Sequence, residues 1–186
     1  MSTLKPCLRA VGVSALLLLF PYATLRAEIH REAIPSEKGL DLYWWPEIVL
    51  PKGWHQYVHW SREYAANMLV PDGATFANAP AVIYAKAIYK PRDPDVKSVD
   101  ELIDRDKKRF IHDVPGVKIQ ETSTIETSDG RKLRQLFFSP DVSGSWEQVA
   151  YGEEGDFFIV FTVSAQTQKA LLAVQETYRQ LLASYR

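Results

Sequence analysis

The chain of 186 residues carries one cysteine, Cys7. It lies ahead of an apolar run, not after it where a lipoprotein cysteine would stand, so lipidation there is not expected. Loss of that segment leaves no disulfide, no thiol nucleophile and no thiolate ligand for a metal. The uncharged run from Ala10 to Leu25 falls short of the ~20 apolar residues that a bilayer-spanning helix needs. Neither G-x-G-x-x-G nor G-x-x-x-x-G-K-[ST] occurs, which removes both glycine-rich phosphate cradles. G-x-S-x-G is missing too, since Ser143-Gly144-Ser145-Trp146 does not complete it and reads as a loop. Long basic runs, low-complexity tracts and internal repeats are also absent.

What is present begins with a targeting pattern. Lys5 and Arg9 precede the uncharged run, whose most apolar part is Leu16 to Phe20, the arrangement of a secretory signal. Ala27 supplies a small residue at the cleavage point, although Leu25 occupies the position where A-x-A wants a second one. The expected organisation is a signal peptide over 1–27, a polar mobile leader over 28–39 and a single globular domain over 40–186. Such a protein is exported, periplasmic or extracellular, with no retained membrane anchor. The 22 basic residues less Lys5, Arg9 and Arg26 leave 19 against 23 acidic ones, a net charge of about −4. A nucleic-acid partner is not expected of that balance. The remaining length buries well over half its unfolded surface, so a core alone can hold the fold.

Periodicity then orders the elements. Leu40 to Trp45, Ile48 to Leu50 and Trp54 to Val58 read as short strands around Pro51-Lys52-Gly53, a turn signal. Ser61 to Leu69 suits a short helix with Ser61 as its N-cap. Ala81 to Tyr89 alternates, with Val82, Tyr84, Lys86 and Ile88 on one face, and reads as a largely buried strand. Ser98-Val99-Asp100-Glu101 has the form of a capping box. The helix it opens carries Val99, Leu102, Ile103 and Phe110 as an apolar stripe and ends in Lys107, Lys108 and Arg109, cations that suit its macrodipole. A meander follows through Val117 to Glu126, Lys132 to Phe138 and Trp146 to Tyr151, and Gly152 to Asp156 turns the chain into Phe157 to Val163, its most apolar strand. Leu171, Val174, Tyr178, Leu181, Leu182 and Tyr185 recur at helical spacing, which predicts a long C-terminal helix lying on the sheet.

The LPKGW turn of Leu50 to Trp54, the GEEGDFFIVFTVSA hairpin of Gly152 to Ala165 and the terminal helix LLAVQETYRQLLASYR, in that order, resemble the PsbP-like superfamily. That superfamily includes the photosystem extrinsic protein PsbP, Mog-type Ran-binding proteins and bacterial envelope proteins. The resemblance spans nearly the whole domain and implies an α+β fold, an antiparallel β-sheet with helices on both faces in an α/β/α sandwich. It also implies a protein that acts by docking to other proteins, with no shared catalytic centre and no cofactor. Leu50, Pro51, Gly53 and Trp54 match as fold determinants and carry no catalytic role.

Trp44 to Trp60 holds four of the five tryptophans and two of the four histidines. Trp54 is expected in the core. Successive strand residues point to opposite faces, so one of Trp44 and Trp45 is expected to be exposed and to serve as a partner contact. His55 and His59 stand four apart, but Gln56 occupies the glutamate position of H-E-x-x-H and no third ligand is evident. His112-Asp113 reads as a solvated pair at a helix end, and Glu153 and Glu154 as solvated acids in a hairpin turn. The expected function is a non-enzymatic module that binds an unknown protein or envelope component. The alternative is a hydrolase or metal-binding protein using His55 and His59.

Overall fold

The computed structural model describes residues 29–37, 39–141 and 144–186. The expected signal over 1–27 lies outside them. Two sheets are formed. Strands β1 (Ile29–Ser36) and β2 (Gly39–Pro46) make an antiparallel hairpin of their own. The main sheet has seven strands in the order β3-β4-β5-β9-β8-β7-β6, with every neighbouring pair antiparallel. Its members are β3 (Trp54–Gln56), β4 (Asn67–Pro71), β5 (Ala81–Tyr89), β6 (Lys118–Glu126), β7 (Lys132–Ser139), β8 (Trp146–Glu154) and β9 (Phe157–Ala165). Among the described residues three α-helices accompany them: α1 (Val58–Glu63), α2 (Val99–Asp113) and α3 (Gln168–Ser184). The fold is α+β, and α2 and α3 lie on opposite faces of the sheet, as the resemblance implies.

β9 is apolar on both sides because both sides are covered. Ile159, Phe161, Val163 and Ala165 meet Leu171, Tyr178, Leu181 and Leu182 of α3, and the Tyr178 hydroxyl donates to the Phe161 carbonyl at 2.9 Å. Phe158 and Val160 face the other way, into a second core with Leu102 and Ile103 of α2 and Leu136, Phe138, Val149 and Tyr151 of the meander. The capping box forms at Ser98, whose hydroxyl accepts from the Glu101 amide at 3.2 Å. The Glu101 carboxylate reaches one residue further back than the motif specifies, to the Lys97 amide at 2.6 Å.

The expected aperiodic leader is instead strand β1, whose backbone pairs with β2 from Ile29↔Pro46 to Ser36↔Gly39. No apolar alternation advertises it, since the tie is made by main-chain groups whichever way the side chains face. The hairpin base lies over the α3 side of the sheet, where Ile29 and Ile48 pack against that core and Asn67 Nδ2 donates to the Pro46 carbonyl at 3.3 Å. Ile48 to Leu50 is not a strand. α3 and the hairpin together roof this face.

The segment after Trp60 also departs from expectation. α1 stops at Glu63, Ala65 takes a left-handed φ of 46°, and the chain enters β4 at Asn67. Ser61 is not an N-cap. It sits inside α1, where its hydroxyl donates to the Tyr57 carbonyl at 3.1 Å and accepts from the Met68 amide at 3.0 Å, pinning the helix to the strand. Burial of Ala66 to Val70 between β3 and β5 outweighs the local helix pattern. Gly152 belongs to β8 and is buried, so the turn into β9 is only Gly155-Asp156.

Candidate functional site

On the α2 side the roof is incomplete. α2 packs over β7, β8 and β9, and on this face no helix among the described residues lies over β5. Val82 and Tyr84 of β5 are half-buried and Lys86 is exposed, while the residues between them, Ile83 and Ala85, are fully covered on the α3 side. The gap is a cleft of about 790 Å³, bounded by Arg105, Asp106, Arg109 and Phe110 of α2 on one side and by Tyr64 and Phe76 on the other. Trp60 buttresses that far wall, stacking on Tyr64 at 5.3 Å and packing against Phe76 at 5.3 Å.

The antiparallel register sets the floor in rows. Glu147, Ser164 and Val82 form one, Val149, Thr162 and Tyr84 the next, and Tyr151, Val160 and Lys86 a third. Side chains two apart share a face, so each row exposes three neighbouring side chains to the cleft or to α2. In the first row the Ser164 hydroxyl donates to Glu147 Oε1 at 2.9 Å. Burial raises the Glu147 carboxyl above the ordinary carboxylate range, and the Ser164 bond and Arg109 only partly oppose this. In the third row the Tyr151 hydroxyl donates to Asp106 Oδ2 at 3.1 Å, and Arg109 Nη2 meets Asp106 Oδ1 at 3.3 Å.

Lys86 stands apart from this network. Arg105 pairs with Asp93 at 2.5 Å and Arg109 with Asp106, but the Lys86 ammonium has no ion-pair partner among the described residues. Burial first and the nearby Arg109 second lower its pKa below the ordinary lysine value. Lys86 keeps accessible surface because the cleft opens to solvent, while the dense walls on either side thin out the water around it. Tyr84 is shifted upward by burial and then by Glu147, which keeps its hydroxyl neutral as a donor. The cleft therefore offers apolar walls, hydroxyls along the floor, a carboxyl at one end and a free ammonium at the other.

The residues singled out in the sequence lie elsewhere. Neither Trp44 nor Trp45 stands bare on the surface. Trp45 is 7% exposed and stacks on His30 at 4.9 Å, while Trp44 is half-buried against Tyr89 and Phe157 with the Arg92 guanidinium 4.5 Å above its ring. The hairpin covers one and the end of β5 the other, so strand alternation did not leave either bare. Trp54 is buried in the α3-side core. His55 Nδ1 pairs with Asp72 at 3.2 Å on the surface, and His59 lies edge-on to Trp60. Among the described residues no group of three or more His, Cys, Asp and Glu is placed to hold a metal. His112 and Asp113 pair at 2.9 Å on the exposed end of α2. The acids of the last hairpin are not free in water, for Glu153 binds Lys90 at 2.7 Å and Glu154 accepts from Arg131 at 2.6 Å and from the Tyr185 hydroxyl at 2.5 Å. The cleft residues went unread because they are scattered over β5, α2, β8 and β9. The one available signal was Lys86, a lysine centred in a strand otherwise read as buried.

No family model and no curated protein matches this chain. Among solved structures the chain is similar to a protein of unknown function from Pseudomonas aeruginosa, at 12% identity and a TM-score of 0.49 over 84% of this chain and 96% of that one. It is also similar to the cyanobacterial PsbP of Synechocystis sp. PCC 6803, at 13% identity and a TM-score of 0.43 over 88% of this chain and 95% of that one. A third is the Ran-binding protein Mog1p of Saccharomyces cerevisiae, at 10% identity and a TM-score of 0.41 over 81% of this chain and 85% of that one.

Proposed function

We propose that this chain is an exported binding domain that holds a ligand in the cleft between α2 and the Tyr64–Phe76 wall, and that it is not an enzyme. The observation that carries the reading is the cleft itself. Its about 790 Å³ falls within the range of ~300–1,000 Å³ typical of small-molecule sites, with apolar walls and a few placed polar groups. The surroundings of its polar side chains support binding over reaction. The Ser164 hydroxyl donates to Glu147 Oε1, a carboxylate and not the imidazole that takes the proton in a Ser-His-Asp triad. The four histidines lie on the hairpin, on β3, on α1 and at the end of α2, and none lines the cleft. Asp106 is occupied by Tyr151 and Arg109.

Val82→Trp tests the site. Val82 is half-buried at the cleft floor, so a larger ring there fills the cleft without entering either core. Binding of the fluorescent apolar probe 1-anilinonaphthalene-8-sulfonate to the folded parent is expected to weaken at least ~10-fold in the variant, a loss of about 1.4 kcal/mol. The melting temperature should stay within a few degrees. Equal dye binding by Val82→Trp would remove the cleft from the function.

Export rests on Lys5, Arg9, the uncharged run and Ala27. N-terminal sequencing of the protein from fractionated cells is expected to find a start near Glu28 in the exported fraction. An intact Met1 held in the membrane fraction would make the segment an anchor.

A further inference from the structure

Resting on that reading of the cleft, we propose that its ligand is a monocarboxylate with an apolar body, the carboxylate held by Lys86 with Arg109 beside it. A charge in a crowded, partly dry site is costly unless something compensates it, and most such groups are paired. Every other cation lining the cleft has its acid, Arg105 with Asp93 and Arg109 with Asp106, while Lys86 has none. Lys86 cannot turn to a residue of its own row, which supplies Val160 and Tyr151. The remaining carboxyl, Glu147, lies two rows along and two strands across, about 16 Å away at the Cα atoms on ordinary strand spacings. It is occupied there by Ser164.

Charge number and shape decide the class of anion. Glu147 stands at the other end of the cleft, and at the Lys86 end Arg105 and Arg109 are balanced by Asp93 and Asp106, which leaves the one positive charge of Lys86. One carboxylate balances it, whereas a phosphate dianion would leave a surplus of negative charge between apolar walls. The body of the ligand has Phe110, Val160 and Ile88 on the α2 side and Met68 and Phe76 on the other to lie against. An alcohol or amide part is accommodated by Tyr84 and Thr162, but an ammonium head would meet Lys86 and Arg109.

The groups facing Lys86 also fix the pH dependence. They are Tyr84 from its own strand, Arg105, Asp106 and Arg109 from α2, and Tyr151 from β8, with Tyr64 on the far wall. Burial and Arg109 lower the Lys86 pKa and Asp106 alone opposes them. The charged form is therefore lost on raising the pH sooner than in a free lysine, whose pKa is ~10.4. Carboxylate affinity should fall over the same interval.

The experiment compares three ten-carbon probes, decanoate, decanol and decyltrimethylammonium, by calorimetric titration into the full exported chain. Decanoate is expected to bind tightest. Lys86→Gln should weaken it at least ~10-fold, the scale of one charge-assisted hydrogen bond. Lys86→Arg should keep most of the affinity, and decanol should bind Lys86→Gln and the parent alike. The melting temperatures of both variants report that the fold is intact. Stronger binding of decyltrimethylammonium, or decanoate binding unchanged in Lys86→Gln, overturns the choice of an anion while Val82→Trp still decides whether the cleft is the site. Failure of all three probes to bind the parent overturns this inference, and the cleft reading falls with it if Val82→Trp also leaves dye binding intact.

Discussion

Replacing Trp54 by alanine is expected to lower the free energy of unfolding by about 3–5 kcal/mol, the range for truncating a large buried aromatic. Gly53, at φ +81°, turns the chain through a conformation that other residues rarely adopt, and the next side chain drops onto the α3-side core. There Trp54 is 9% exposed and shares a cluster with Leu69, Ile83 and Phe161. β3 pairs only with β4, through three residues, so little else anchors this edge of the sheet. Trp44→Ala provides the comparison. Its ring is half-buried against Tyr89 and Phe157 under Arg92, and a loss of about 1–2 kcal/mol is expected from aromatic and cation–π contacts of that kind. Urea melts of both variants check this. A Trp54→Ala protein that melts with its parent contradicts the core assignment.

Gly152→Val is expected to cost about 3 kcal/mol, at the upper end of the usual penalty for overpacking. The reason is space and not backbone strain. A Cβ built at Gly152 would stand 2.4 Å from Leu133 Cδ2 and 3.4 Å from Ile159 Cγ1. Leu133 and Ile159 lie on the strands to either side of β8, so the glycine lets their side chains close over it. The coupling can be read directly. Adding Leu133→Ala to Gly152→Val should recover part of the loss, because the second change removes the obstructing methyl groups. Gly155, at φ +53° with no atom within 4 Å of a built Cβ, marks the contrast, for there only the backbone objects to a side chain. If the double variant is no more stable than Gly152→Val, the packing explanation is wrong.

The elements legible in the sequence are those whose burial is continuous along the chain. α3 presents one stripe to one sheet, β9 is buried on both sides, and α2 begins at a capping box, so period and composition specify each locally. Legibility failed where the decisive partner was remote. β1 is held by backbone pairing to β2, and nothing in Ile29 to Ser36 reveals which strand receives it. Ser61 opens a good helical window, yet Ala66 to Val70 are claimed by β3 and β5. Trp44 and Trp45 are strand neighbours, of which one is expected to be bare unless something covers each face. The alternation was right, and the inference failed because the hairpin layer and the end of β5 supply a cover for each face. The cleft was the least accessible of all, since among the described residues it exists only where no helix covers the α2-side face of β5.

The strand order β3-β4-β5-β9-β8-β7-β6 is two local meanders joined by a single long-range seam. Within each meander, strands pair with their neighbours in sequence, whereas the seam matches Tyr89 with Phe157 and Ala81 with Ala165. Closing that seam fixes a long loop, and its entropy must be met before the apolar contacts across it form. Both cores depend on β9, and one of them also needs α3, so neither is complete until the C-terminal residues are available. A chain that emerges N-terminus first, from the ribosome or across a membrane, can form its turns and the α2 cap early but gains its cohesion last. The order of assembly thus runs against the order of synthesis, with the final strand and helix converting two loose meanders into one domain.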